Sequence, residues 1–144
     1  MADPLRYDVE VSPEATRQLA GQASGVLRAM AASMTGEMKR LISLPKTGRA
    51  YRRGRTAVHI ASAPGEAPAD DYGGLLGSIG FIMNGDLQAI VSVGAEYAAY
   101  LELGTNRADG TPLIKPRPYV QPSIDKVRAD YAGILGQTRV RMNR

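Results

Sequence analysis

The sequence predicts an α+β fold, in which an antiparallel sheet is packed by helices. Residues 5–11 alternate between apolar and polar, which is typical of a half-buried strand. Apolar residues recur at spacings of three and four from Ala15 to Ile42, which is typical of an amphipathic helix. Residues 79–93 alternate on both sides of a turn, which predicts a β-hairpin. We therefore expect about four mostly antiparallel strands, packed by a long N-terminal helix and a C-terminal helix.

The N-terminal helix has a clear predicted start and end. Ser12 is suited to the N-cap and Pro13 to the first helical position, with an acid following in the first turn. The apolar stripe continues to about Ser43, and Leu44-Pro45 favours an end there because a residue before proline disfavours helical geometry.

A long loop at about 45–74 is predicted to follow this helix, because glycines and prolines punctuate the stretch. Only residues 55–61 alternate within it, and they are predicted to form a strand. The hairpin comes next, with its turn at Asn84-Gly85-Asp86. We treat residues 1–144 as one domain, since this length is ordinary for a single domain.

The last third of the chain predicts two more helices. A short one ends at Gly104, and we expect Tyr97, Tyr100 and Leu101 to anchor it on the sheet. After a second loop, a final helix is predicted to run to the C-terminus, whose basic residues suit a helix end.

Composition excludes several classes of function. The chain has no cysteine, so disulfides and thiolate chemistry are absent. No apolar run approaches the roughly 18–20 residues of a membrane span, and the N-terminus lacks the layout of a signal peptide. We therefore expect no membrane association and synthesis in a cytoplasm.

The residues do not predict catalysis. His59 is the only histidine, so a Ser-His-Asp set would have to include it, and no nucleophile elbow is present. Glu66, Asp70 and Asp71 are the best candidates for a metal-dependent nuclease, but they lack recognisable ligand spacing. We expect no catalytic residue, no cofactor and no metal site.

A basic run is the strongest binding candidate on composition. Arg49, Arg52, Arg53 and Arg55 surround Tyr51, in a chain of net charge +4. Such a run can hold phosphates by charge and stack a base, or it can contact an acidic protein partner. Both interpretations stay open.

Four short motifs follow one another along residues 46–127, each occurring once. They are an Ala-Pro-Gly-Glu-x-Pro loop, an Asp-x-Gly-x-Leu-x-x-Ser-Ile segment, a Val-Gly-x-x-Tyr-Ala-x-Tyr-Leu-Glu-x-Gly-Thr helix and a Pro-Arg-Pro-Tyr entry to the last helix. The matching residues are Ala63, Pro64, Gly65, Glu66, Pro68, Asp71, Gly73, Leu75, Ser78, Ile79, Val93, Gly94, Tyr97, Ala98, Tyr100, Leu101, Glu102, Gly104, Thr105, Pro116, Arg117, Pro118 and Tyr119.

This ordered set resembles the tail-completion family of long-tailed bacteriophages, also described as putative tail-component or head–tail joining neck proteins. Tyr119 stands where phenylalanine is commoner, and the family varies in length after Gly104-Thr105. The resemblance implies a structural virion protein rather than an enzyme. It would form a ring, a hexamer most commonly, that completes the tail and joins it to the head-completion proteins.

The resemblance also suggests partners and interface residues. Neighbouring neck and tail proteins are expected partners: the stopper or connector, the tail terminator or the tail tube. Tail terminator and stopper are alternative roles for the chain itself. The arginines of the basic run would contact DNA in the channel without sequence readout. We expect a subunit or partner interface that includes Pro64, Gly65, Glu66, Pro68, Asp71 and Tyr119. The central segment is expected to be mobile in the free monomer.

Overall fold

A computed structural model describes residues 5–10, 12–14, 23–135 and 139–143. The strands are β1 (Leu5–Glu10), β2 (Ala50–Arg53), β3 (Ala57–Ile60), β4 (Ile79–Met83), β5 (Gln88–Val93), β6 (Thr105–Asn106), β7 (Pro112–Ile114) and β8 (Arg139–Asn143). The helices are α1 (Ala23–Ser43), α2 (Gly74–Ser78), α3 (Ala98–Leu103), α4 (Val120–Asp130) and α5 (Ala132–Leu135). This mixture of helices and antiparallel sheets confirms the predicted α+β class.

The largest sheet has the strand order β4-β5-β1-β8, and every neighbouring pair is antiparallel. The predicted hairpin is present as β4 and β5, with Gly85 at a φ of 73° in the turn. A positive φ is unfavourable for residues with a Cβ, so glycine suits this position. The register places Tyr7 opposite Val91 and Val91 opposite Phe81, which aligns the apolar residues of three strands on one face.

The face of this sheet that carries Tyr7 and Val91 packs against α1. The buried apolar side chains of α1 are spaced to form one stripe, as the sequence predicts. They are Ala23, Leu27, Met30, Ala31, Met34, Met38 and Ile42. The same helix contacts β4, β5 and α4, so the core lies between one sheet face and two helices.

The predicted helix start lies partly outside the described residues. Pro13 and Glu14 are helical, but residues 15–22 are not among those described. The end is as predicted, since α1 stops at Ser43 before Leu44-Pro45. Among the described helices, none is both long and apolar enough to cross a membrane.

The prediction for the central segment needs correction. Residues 57–60 do not join the largest sheet but pair with Ala50–Arg53 in a separate two-stranded ribbon. The chain reverses at Gly54, whose φ is 62°, so the basic run folds back onto the alternating stretch beside it. Local pairing through a short turn closes a smaller loop than pairing with the distant sheet would.

The prediction for the C-terminus was also wrong. The final helix ends at Asp130, with one further short helix, and Arg139–Asn143 forms β8 beside β1. The tail Arg-Val-Arg-Met alternates with a period of two, which favours a strand. Its register places Arg139 opposite Glu10 and Arg141 opposite Asp8.

Candidate functional site

Three of the sequence motifs, although far apart along the chain, lie next to one another. The amide of Gly65 donates a hydrogen bond to the carbonyl of Pro116 at 3.2 Å. The amide of Arg117 donates to the carbonyl of Leu101 at 2.7 Å. The Ala-Pro-Gly-Glu loop, helix α3 and the Pro-Arg-Pro-Tyr segment are therefore joined through backbone atoms. We call this set, residues 63–66, 101–105 and 116–121, the motif cluster.

Glu102 is the central polar group of the motif cluster. Its Oε2 accepts hydrogen bonds from the amides of Tyr119, at 2.8 Å, and Val120, at 3.0 Å. Its Oε1 accepts from the amide of Gln121 at 3.0 Å. These amides begin α4, where backbone donors have no partner inside the helix and the helix dipole favours negative charge. The side chain of Glu102 therefore caps a helix that begins 18 residues further along the chain.

Gly104 allows the chain to turn sharply out of α3. Its φ is 73°, and a Cβ at this position would lie 2.5 Å from the carbonyl oxygen of Ile114. Both the backbone angle and the close approach require glycine. The turn leads directly into β6 and the small β6–β7 ribbon.

Tyr119 is a core residue within the single chain. Its side chain is fully buried, and the hydroxyl of Ser123 donates to its carbonyl at 2.7 Å. Burial raises the pKa of the Tyr119 hydroxyl most, and the negative charge of Glu102 raises it further. Pro68 is likewise buried. Tyr119 and Pro68, which were predicted to lie at an interface, are therefore buried within the single chain. Of the other predicted interface residues, Pro64, Gly65 and Asp71 are exposed.

The exposed side of α3 differs from the prediction. Ala98 and Glu102 face inward, while Tyr97 and Tyr100 are 48% and 46% exposed. Leu101 is partly buried and packs against the core. Helical spacing of four places Ala98 and Glu102 on the same side, and capping of α4 holds that side inward. The prediction that both tyrosines anchor this helix was wrong.

A groove of about 620 Å³ opens beside the motif cluster. It runs between the 64–65 loop, the end of α3 and the β6–β7 ribbon. Leu103 lines it and is 53% exposed, so apolar surface is available here.

Glu66 ties the central loop to the end of α1. Its Oε2 accepts from the amide of Ala63 at 2.8 Å and from the amide of Thr47 at 3.1 Å. The Thr47 hydroxyl donates to Oε1. These hydrogen bonds lower the pKa of the Glu66 carboxyl group, and the bond from the Thr47 hydroxyl has the largest effect. The loop is therefore fastened to the segment after α1 at several points, and its mobility in the free monomer stays a prediction.

The other two acids of the loop also have structural partners. Asp70 accepts from the amide of Gly73 at 2.7 Å and from that of Leu76 at 3.4 Å, next to the start of α2. Asp71 forms an ion pair with Arg53 and lies 3.5 Å from Nδ1 of His59. Within the described residues, no group of three or more His, Asp or Glu could hold a metal ion.

The basic run is divided by this arrangement. Arg53 is paired with Asp71, and its guanidinium lies 4.8 Å from the ring centroid of Tyr72. Arg49 lies over the ring of Tyr51 at 5.2 Å. Arg49, Arg52 and Arg55 are exposed on the ribbon and its approach. Three cationic side chains thus remain accessible to a partner.

Comparisons of the chain with protein-family models, curated proteins and solved structures find no match.

Replacement of Glu102 by glutamine tests the capping of α4. The amide group of Gln offers one acceptor oxygen, and its NH₂ would face backbone donors that are already buried. We expect Glu102→Gln to lower the free energy of unfolding by about 1–3 kcal/mol. Chemical denaturation measures this change. Glu96→Gln, on the exposed turn before α3, is the matched control and should leave stability unaltered. Equal stability of both variants and the wild type would contradict the capping role.

The Glu66 contact predicts a local acid transition. A carboxylate whose pKa is lowered on folding contributes stability above its unfolded pKa, near 4.5, and loses it as pH falls through the folded pKa. We expect the amide resonances of Thr47 and Ala63 to shift together below pH 4.5. NMR titration measures this, and Glu66→Gln should abolish the shared transition. Unchanged transitions in that variant would show that another group titrates.

Proposed function

We propose that this chain is a structural virion protein of a phage neck. It forms a ring, a hexamer in the simplest case, that completes the end of the tail and joins it to the head-completion or connector proteins. It is made in the host cytoplasm and resides at the head–tail junction. A tail terminator or a stopper ring of the same neck is the alternative within this class.

The observation that carries the proposal is the motif cluster. The residues behind the family resemblance could have been scattered over the surface, but three of the four motifs contact one another through Glu102, Gly104 and the Gly65–Pro116 hydrogen bond. These contacts give the three motifs a shared structural role. The motif cluster builds one rigid surface beside the groove, as a ring subunit needs for contact with its neighbours.

The exposed apolar side chains also support an assembly role. Tyr97, Tyr100, Leu103 and Leu113 are each between 46% and 58% exposed, and all belong to α3, its approach or the neighbouring ribbon. Exposed apolar groups that cluster mark surfaces at which proteins associate.

Genetic deletion tests this proposal. Particles made without the chain should accumulate as separate heads and tails, because the neck cannot close. Electron microscopy of lysates distinguishes this from the wild type, and the gene supplied in trans is the control. Normal numbers of joined, infectious particles in the deletion would contradict the proposal.

The second candidate function is a basic nucleic-acid-binding module. The observation that favours it is the exposure of Arg49, Arg52 and Arg55, whereas Arg53 is already paired. We expect short duplex DNA to bind in a salt-sensitive manner and to bind less tightly when the three exposed arginines become serine. Arg107→Ser, on an exposed turn far along the chain, is the control. Absence of binding at low salt would remove this candidate.

A further inference from the structure

β4 lies at the edge of the largest sheet, and no described strand pairs with its outer side. Within the described residues it pairs with no strand but β5, and on its outer side the amide of Ile79 donates to the carbonyl of Leu76 in α2. The strand Ile-Gly-Phe-Ile-Met carries no charge and no proline. Proteins normally protect such edges, because an exposed apolar edge readily pairs with another strand.

The backbone groups that point outward from β4 follow from two hydrogen bonds. Asn84 donates to Gln88 at 2.8 Å, and Gly94 donates to Ser78 at 3.0 Å. Hydrogen-bonded pairs alternate with non-bonded pairs in an antiparallel ladder. Even-numbered residues of β4 therefore bond to β5, while Phe81 and Met83 direct their N–H and C=O groups to the free edge. The amide of Ile79 also points outward but already donates to Leu76.

The β2–β3 ribbon has a second free edge on β3. Ala61 donates to the carbonyl of Arg49 at 3.0 Å, so by the same alternation Val58 and Ile60 direct their backbone groups outward. Their side chains are 62% and 45% exposed. A two-stranded ribbon is marginally stable in water, so it gains from a further strand.

We propose that β3 of one copy of this chain pairs antiparallel with the free edge of β4 in a second copy, with Val58 opposite Met83 and Ile60 opposite Phe81. The inference deepens the proposed function and rests on its ring. Each copy offers one β3 edge and one β4 edge, so the contact is heterologous and can close into a ring.

Charge favours this register. If the pairing of Val58 with Met83 is continued for three residues towards the tip of the ribbon, Arg55 lies beside Asp86 in the β4–β5 turn. Both residues are exposed, and neither makes an ion pair within the described part of the chain. Oppositely charged residues placed across from each other stabilise a strand pair.

The apolar layers also match. Ile79 is buried, and Phe81 and Met83 pack against the core, so these side chains lie on the inner face of the sheet. Residues directly opposite in a sheet share a face. Val58 and Ile60 of the neighbour would therefore extend that inner layer and lose their exposure.

Proline variants at the two edges test the pairing. Val58→Pro and Met83→Pro each remove an N–H that points to a free edge, so no hydrogen bond within the chain is lost. Light scattering after size exclusion should show a closed oligomer for the wild type and a monomer for each variant. An equimolar mixture of the two variants should give a dimer and nothing larger, because one intact edge of each kind remains. Arg128→Gln, exposed on α4 and outside both edges, is the control and should keep the wild-type mass.

A charge exchange tests the register without altering the backbone. Arg55→Glu and Asp86→Arg should each lower the oligomeric fraction, and the double variant should restore it. Both sites are exposed turn residues, so folding is spared. A wild type that stays monomeric, an oligomer that survives both prolines, or a mixture that gives no dimer would overturn the inference.

These outcomes are distinct from those of the deletion experiment. If deletion leaves heads and tails unjoined but the prolines do not affect the oligomer, the neck function stands and the strand pairing is wrong. If the proline variants combine into a dimer but particles lacking the chain are normal, the pairing stands and the neck function is wrong.

Discussion

The carboxylate of Glu102 holds together the parts of the chain on which the proposed function depends. It accepts hydrogen bonds from three consecutive amides at the start of α4 while its own helix, α3, packs on the core. This fixes the angle between the two helices and places Tyr119 in the core between them. Gly104 then turns the chain away without a clash. This capping contact, with the backbone hydrogen bonds from Gly65 to Pro116 and from Arg117 to Leu101, shapes the surface beside the groove.

The periodicity of apolar residues was sufficient to predict the elements whose structure is locally regular. The hairpin of β4 and β5 and the buried stripe of α1 were predicted because each side chain pattern reports directly on one face of one element. The turn at Gly85 and the end of α1 before Pro45 were predicted for a similar reason, since glycine and proline restrict the backbone at their own positions.

Sequence alone failed where a contact between distant segments decides the outcome. The two tyrosines at α3 were assigned to the core because aromatic side chains usually lie there, whereas Leu101 does pack against the core as predicted. The inward position of Glu102 was missed because a carboxylate looks like a solvent residue unless its partners at α4 are known. The ribbon of β2 and β3 was missed because its first strand, Ala-Tyr-Arg-Arg, lies within a basic run flanked by glycines, which does not show the alternation of a strand. The C-terminal strand was missed because its basic residues also suit a helix end. The motif resemblance identified the residues of the cluster but not their capping and packing roles.

The central claim is that Glu102 makes the motif cluster a rigid unit in the isolated chain. Amide hydrogen exchange at Tyr119, Val120 and Gln121 measures this most directly. Because their amides are bonded to a carboxylate that α3 holds against the core, we expect them to exchange as slowly as the amides in the middle of α4. Exchange at the rate of the exposed β6–β7 turn, with α4 itself protected, would contradict the claim.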